Sequence, residues 1–274
     1  VEVIGVVGMG AQRWVDLGLF QLQPSEVMKI ALVLALARFY HGIALEEVGR
    51  IRWLVVPMVL IMVPVALVMR QPDLGTAILL LATATAILLL AGVRMWKFAV
   101  LFGTILAAIP IAWRFMLHGY QKDRVLTYLN PERDPLGAGY HIMQSKIALG
   151  SGGLFGKGFM QGTQSHLAFL PERQTDFIFT MLAEEFGLIG CLGLLSLYIL
   201  VIVYGYAIAR RSRNQFGRLL ATGMITTFFL YVFINMAMVM GLIPVVGVPL
   251  PLVSYGGTSM MSLLIGFGLI LSVY

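Results

Sequence analysis

Apolar residues fill seven long blocks along this chain, separated by short polar stretches and by one long polar segment, 118–176. Blocks of about 17–25 residues suit helices that cross about 30 Å of hydrocarbon. The pattern predicts helices over 24–40, 53–69, 74–91, 96–117, 177–209, 219–240 and 255–273. Pro24 opens the first block, where proline fits the first helical turn. Pro57 and Pro64 fall inside the second and are expected to kink it. The fifth block is too long for one straight span, so a break near Gly187 or Gly190, or an interfacial first turn, is expected. The fold class is therefore an all-α polytopic membrane protein with about seven transmembrane helices and a long loop, in one domain spanning 1–274. The sequence contains no internal repeat.

Composition narrows the class. Hydrophobic residues make up 59% of the chain and charged residues only 12%, which excludes an ordinary soluble domain. The net charge of +6 is shared among short loops rather than gathered into a basic stripe with aromatics, so nucleic acid is not an expected partner. Cys191 is the single cysteine, which leaves no disulfide framework and no cysteine metal cluster.

The cations also orient the chain. Arg38, Arg50 and Arg52, then Arg94 and Lys97, then Arg210, Arg211, Arg213 and Arg218 follow the first, third and fifth blocks. By the positive-inside rule these loops are cytoplasmic, which puts 118–176 and residues 10–14 outside. Val1 is not an initiator methionine, and the chain ends at Tyr274 within an apolar run. A trimmed fragment of a larger membrane protein is expected, with an odd number of helices upstream.

Against this background ionisable groups stand out, because they are expensive where water gives way to lipid. Asp176 lies where the long polar segment meets the fifth block. Thr175 or Asp176 could cap that helix, or the carboxylate could face an external cavity as a general base or metal ligand. Glu26 and Lys29 share a helix face, either as a neutralised pair beside an internal cavity or as a dipole-matching carboxylate and a snorkelling lysine. Residues 150–158 form a glycine-rich run around Lys157, suited to a flexible turn or a phosphate cradle, although Ser151 and Gly158 break the P-loop pattern. Residues 140–149 suit a short amphipathic helix at the interface, with Lys146 on its polar side. Lys146, Lys157 and Arg173 would suit an anionic headgroup. Glu184 either lines the cavity of Asp176 or bonds to a neighbouring helix. The prolines and glycines of 249–257 imply a broken or re-entrant segment. The HExxH and GxSxG patterns of zinc proteases and serine hydrolases do not occur.

Six ordered motifs together resemble the SEDS family (shape, elongation, division and sporulation), its RodA branch more than its FtsW branch. They read GAQRW at 10–14, QPSEVMKI at 23–30, QPDLGT at 71–76, DPLGAGYHIMQSKIALGSGG at 134–153, LPERQTDFIF at 170–179 and PVVGVPLPLVSYGG at 244–257. The resemblance covers essentially the whole chain. It implies a ten-helix fold with both ends cytoplasmic, of which this chain would hold seven, lacking three upstream and a basic tail.

The resemblance also implies an inverting peptidoglycan glycosyltransferase. It would polymerise lipid II, with strands held on undecaprenyl diphosphate, on the outer face of the bacterial plasma membrane during elongation. The implied partner is a class B penicillin-binding protein. The family's catalytic aspartate falls on Asp176, its conserved tryptophan on Trp14, and its helix-four acid–base pair on Glu26 and Lys29. Lys29, Arg13, Lys146, Arg173 or a divalent ion are candidates for holding the diphosphate, and Gln144, Glu172, Thr175 and Ser254 are further substrate-contact candidates. A divalent cation, Mg²⁺ or Mn²⁺, is a candidate cofactor with Asp176 as its one candidate ligand, and no organic cofactor is expected. Two other classes remain open: a lipid II flippase, since transporters also use buried ion pairs and broken helices, and a non-catalytic scaffold for the penicillin-binding protein. The polar mass on one side of the membrane favours the polymerase.

Overall fold

A computed structural model of the chain describes all residues except 1–4, 9–10, 17, 19–20, 72, 116–118, 120–121, 123–125, 129, 131–137 and 164–173. The main elements are β1 (Val6–Gly8), β2 (Ala11–Asp16), β3 (Gln21–Leu22), α1 (Pro24–His41), α2 (Leu45–Val48), α3 (Arg52–Arg70), α4 (Leu74–Ala91), α5 (Met95–Phe115), α6 (Ala138–Ser151), α7 (Ile178–Arg211), α8 (Gln215–Val239) and α9 (Gly257–Ser272). Each of the seven apolar blocks forms a long helix, and α4 has the expected bounds. Among the described residues α3, α4, α7 and α8 are long and apolar enough to cross a membrane. The chain divides into two compact units. One holds Val1–Val93, Ile199–Tyr231 and Gly256–Tyr274, and the other Arg94–Tyr198 and Val232–Tyr255.

In the first unit α1 packs on α3, α4 and α9. Its buried residues Ile30, Val33, Ala37 and Tyr40 recur at helical spacing. Helix α4 is fixed at both ends. Asp73 caps it by accepting from the Thr76 amide at 3.1 Å and the Thr76 hydroxyl at 2.9 Å. Gly92, in the left-handed region at φ 105°, closes the other end, with the Val93 amide on the Leu88 carbonyl at 3.1 Å. Helix α3 continues through both prolines, which lie on its packed side, while Val55, Val59, Met62 and Val63 are exposed as a lipid-facing stripe would be.

The periodicity gave no sign of the small antiparallel sheet before α1, in which Val6 pairs with Trp14 and Val15 with Leu22. Its strands are too short to carry a readable alternation.

In the second unit α6 packs on one side and exposes the other. Ser145 is fully buried, 2.8 Å from both the Thr180 hydroxyl and the Val239 carbonyl. Lys146, Met143 and Ile147 remain exposed. The expected break in α7 falls at Gly187, at φ 65° and ψ −162°. A break frees backbone groups that must find partners. The glycine-rich run supplies them. The Lys157 and Gly158 amides donate to the Glu184 and Glu185 carbonyls at 3.0 and 3.1 Å, and the Leu188 and Ile189 amides donate to the Gly153 and Leu154 carbonyls at 2.9 and 3.2 Å. A Cβ on Gly156 would lie 2.6 Å from the Phe186 amide nitrogen, so this close docking requires glycine. The run is thus docked on the helix it repairs, and the amides of Lys157 and Gly158, beside the one lysine of the run, are spent on that helix.

Candidate functional site

Two polar constellations are built inside this apolar chain, one in each unit. In the first, Glu26 and Lys29 lie one turn apart on α1, 5% and 4% exposed, with Lys29 Nζ 2.7 Å from Glu26 Oε1. The snorkelling alternative for Lys29 therefore fails. Tyr231 of α8 donates from its hydroxyl to both carboxylate oxygens, at 3.1 and 3.0 Å, and accepts from Lys29. Ser262 of α9 donates to Glu26 Oε2 at 2.9 Å. Buried charges persist when they are paired and further hydrogen-bonded, and both conditions hold here. Beside the cluster is a cavity of about 20 Å³, lined also by Thr227 and Phe228, enough for about one water. The cluster neutralises itself, which suits support of the helix packing.

In the second unit Asp176 is half-buried just before α7. The expected capping role does not fall to Thr175 or Asp176. The helix starts at Ile178, and the Phe177 carbonyl receives the first helical amides, from Thr180 at 3.0 Å and Met181 at 3.4 Å. The backbone at Asp176 and its neighbours is held at several points. Asn235 Nδ2 donates to the Asp176 carbonyl at 2.8 Å and to the Val248 carbonyl at 2.7 Å. Ser254 Oγ donates to the Thr175 carbonyl at 2.6 Å and accepts from the Leu250 amide at 2.7 Å. The Tyr255 amide donates to the Gln174 carbonyl at 2.8 Å.

The partner strand in these contacts is the irregular segment between α8 and α9, as its prolines and glycines led one to expect. Irregular backbone in an apolar chain is stable where side chains satisfy it. Tyr198 serves the Pro251 carbonyl at 2.7 Å, and Tyr128 serves the Leu242 carbonyl at 2.6 Å. Gly247, at φ 71°, brings its backbone beside the carboxylate, and a Cβ there would lie 3.4 Å from Asp176 Oδ2.

The other candidates fall as follows. Arg13 and Trp14 are consecutive on β2 and so point to opposite faces. Arg13 Nε donates to the Gln71 carbonyl at 3.0 Å. Lys146 is exposed on α6, and its stem packs where a Cβ of Gly241 would be. Gln144 Oε1 is buried with no hydrogen-bond partner among the described residues, an acceptor left over for something else. Thr175 is held through its carbonyl, and the Ser254 hydroxyl is engaged on both sides by backbone. Glu172 and Arg173 lie outside the described residues. Glu184 is fully buried, pairs with Lys157 at 2.7 Å and accepts from the Thr163 hydroxyl at 3.1 Å, so it bonds within its own unit. Among the described residues no three His, Cys, Asp or Glu converge as a metal cage.

Reading the sequence missed Tyr231, Asn235 and Ser262. Tyr231 and Asn235 are polar interruptions of an apolar block, and that signal was available. Their partners, 202 residues away for the Lys29–Tyr231 contact and 59 for the Asn235–Asp176 contact, were not.

The model of the FtsW, RodA and SpoVE family, described as a cell cycle protein, matches residues 1–274. The peptidoglycan glycosyltransferase MrdB of Escherichia coli K12 is 51% identical over 278 residues, covering 100% of this chain and 74% of that protein. Among solved structures, one described as a peptidoglycan synthase complex that coordinates polymerization and crosslinking matches with a TM-score of 0.84 at 33% identity, over 98% of this chain and 74% of that one. The rod shape determining protein RodA of Thermus thermophilus matches with a TM-score of 0.67 at 30% identity, over 98% and 71%. The chain belongs to the FtsW, RodA and SpoVE family.

Proposed function

We propose that this family member is a peptidoglycan glycosyltransferase of cell elongation, using Asp176 as its catalytic base. The single observation that carries the site is the half-buried carboxylate of Asp176, held through its backbone beside Gly247. Among the described residues three other carboxylates are buried: Glu26 and Glu184 each pair with a lysine, and Asp73 caps α4. The substrate is lipid II. The carboxylate takes the proton from the 4-hydroxyl of its GlcNAc. That oxygen bonds to C1 of the MurNAc at the end of the growing strand, and the bond from C1 to the undecaprenyl diphosphate breaks. One base suffices, because diphosphate leaves without a protonating acid. Single displacement turns the α-linked donor into a β-linked product.

The departing diphosphate requires positive charge. Lys146, exposed on α6 in the same unit as Asp176, is the described candidate there, and Lys29 is already paired with Glu26. The positive-inside pattern supports an extracytoplasmic Asp176, and a class B penicillin-binding protein is the partner that would crosslink the strands.

The test uses the full-length protein purified with that partner, given lipid II, with crosslinking blocked by penicillin. Glycan strands that persist under penicillin and vanish in Asp176→Ala are expected. Absence of strands from the wild type, with partner binding intact, would overturn the polymerase in favour of a flippase or scaffold.

A further inference from the structure

Asn235 lies on α8 in a stretch that is otherwise almost wholly apolar, YVFINMAMVM over 231–240. It is fully buried. A buried amide is expensive unless its groups are matched, so its presence calls for a purpose. Both protons of its amide are used, one on the Asp176 carbonyl and one on the Val248 carbonyl. Its Oδ1 is buried and has no hydrogen-bond partner among the described residues. A leucine here would suit the helix better, yet it would leave both carbonyls short of a donor.

The two carbonyls belong to segments that neither helix nor sheet fixes: the turn that delivers Asp176 and the irregular stretch before α9. Asn235 joins them from a helix whose span is 83% buried, the most deeply packed of the four candidate membrane spans. The joint places the Gly247 backbone against the Asp176 carboxylate.

We infer that Asn235 is a positioning residue for the reaction, which fixes the Asp176 carboxylate by clamping its backbone to the Val248 carbonyl. The inference rests on Asp176 being the base. A base misplaced by about 1 Å can lose about 10²-fold in rate. Binding of lipid II depends on other groups, so the loss falls on kcat rather than on KM.

The test compares Asn235→Asp, which keeps shape but replaces the donor amide by a carboxyl group, with Asn235→Ser, which keeps one short donor. Both are made in the full-length protein with its penicillin-binding partner and assayed on lipid II. The expected result for Asn235→Asp is a kcat lowered by about tenfold or more, KM within about twofold of wild type, and a displaced acid limb of the kcat–pH profile. Asn235→Ser is expected to fall between it and wild type. Wild-type kcat and an unmoved acid limb in either folded variant would overturn the inference, as would a loss that only follows the folded fraction. Asp176→Asn in the same series separates the two readings. An active Asp176→Asn removes the base itself. An inactive one beside a fully active Asn235→Asp removes only the clamp.

Discussion

The cluster around Glu26 and the strap around Asp176 handle a carboxylate in opposite ways. Glu26 is almost fully buried, and its two oxygens receive Lys29, Tyr231 and Ser262. Asp176 is half-buried, and Asn235 and Ser254 grip the main chain at and just before it. Saturating a buried carboxylate with donors stabilises it where it stands. Gripping the main chain, as Asn235 and Ser254 do, sets where a carboxylate stands without drawing on its oxygens. The lesson is that a buried charge in an apolar chain is not by itself the reacting group.

That contrast can be strained from either side. On stability, the largest effect is expected in the saturated cluster. Lys29→Met leaves Glu26 buried without its cation and should destabilise by about 3–5 kcal/mol. Adding Glu26→Gln should recover part of that loss, read by thermal unfolding in detergent. A single substitution that unfolds at the wild-type temperature would end the supporting role.

A smaller loss is expected where Lys157 pairs with Glu184. Lys157 is 29% exposed, so solvent already screens the pair. Lys157→Met should cost about 2 kcal/mol, and faster proteolysis of the loop 152–158 would report its release from the Gly187 break. Unchanged proteolysis would mean the backbone bonds alone hold the loop. The smallest effect is expected at the α4 cap, where Asp73→Ala should cost about 1 kcal/mol with activity retained. A large loss of activity there would give the QPDLGT motif a role beyond capping.

The long elements were legible because lipid imposes a length and composition that the chain must display. The bounds of α4 and the break at Gly187 followed directly from apolar runs and glycine. Asp176 was legible as a carboxylate at a boundary, and the family motifs gave it a role. The donors around both carboxylates were not legible, since Tyr231 and Ser262 meet Glu26 from 205 and 236 residues away. The glycine-rich run misled because amides that can cradle a phosphate can equally repair a broken helix. Local sequence does not distinguish the two ligands.

The most direct test measures lipid II turnover and thermal unfolding together on full-length Asp176→Asn beside wild type, each with its penicillin-binding partner. Turnover reduced by about 10²–10⁴-fold, with an unchanged unfolding temperature, is the expected result. Turnover that is retained, or lost only as the protein unfolds, would contradict a catalytic carboxylate at Asp176.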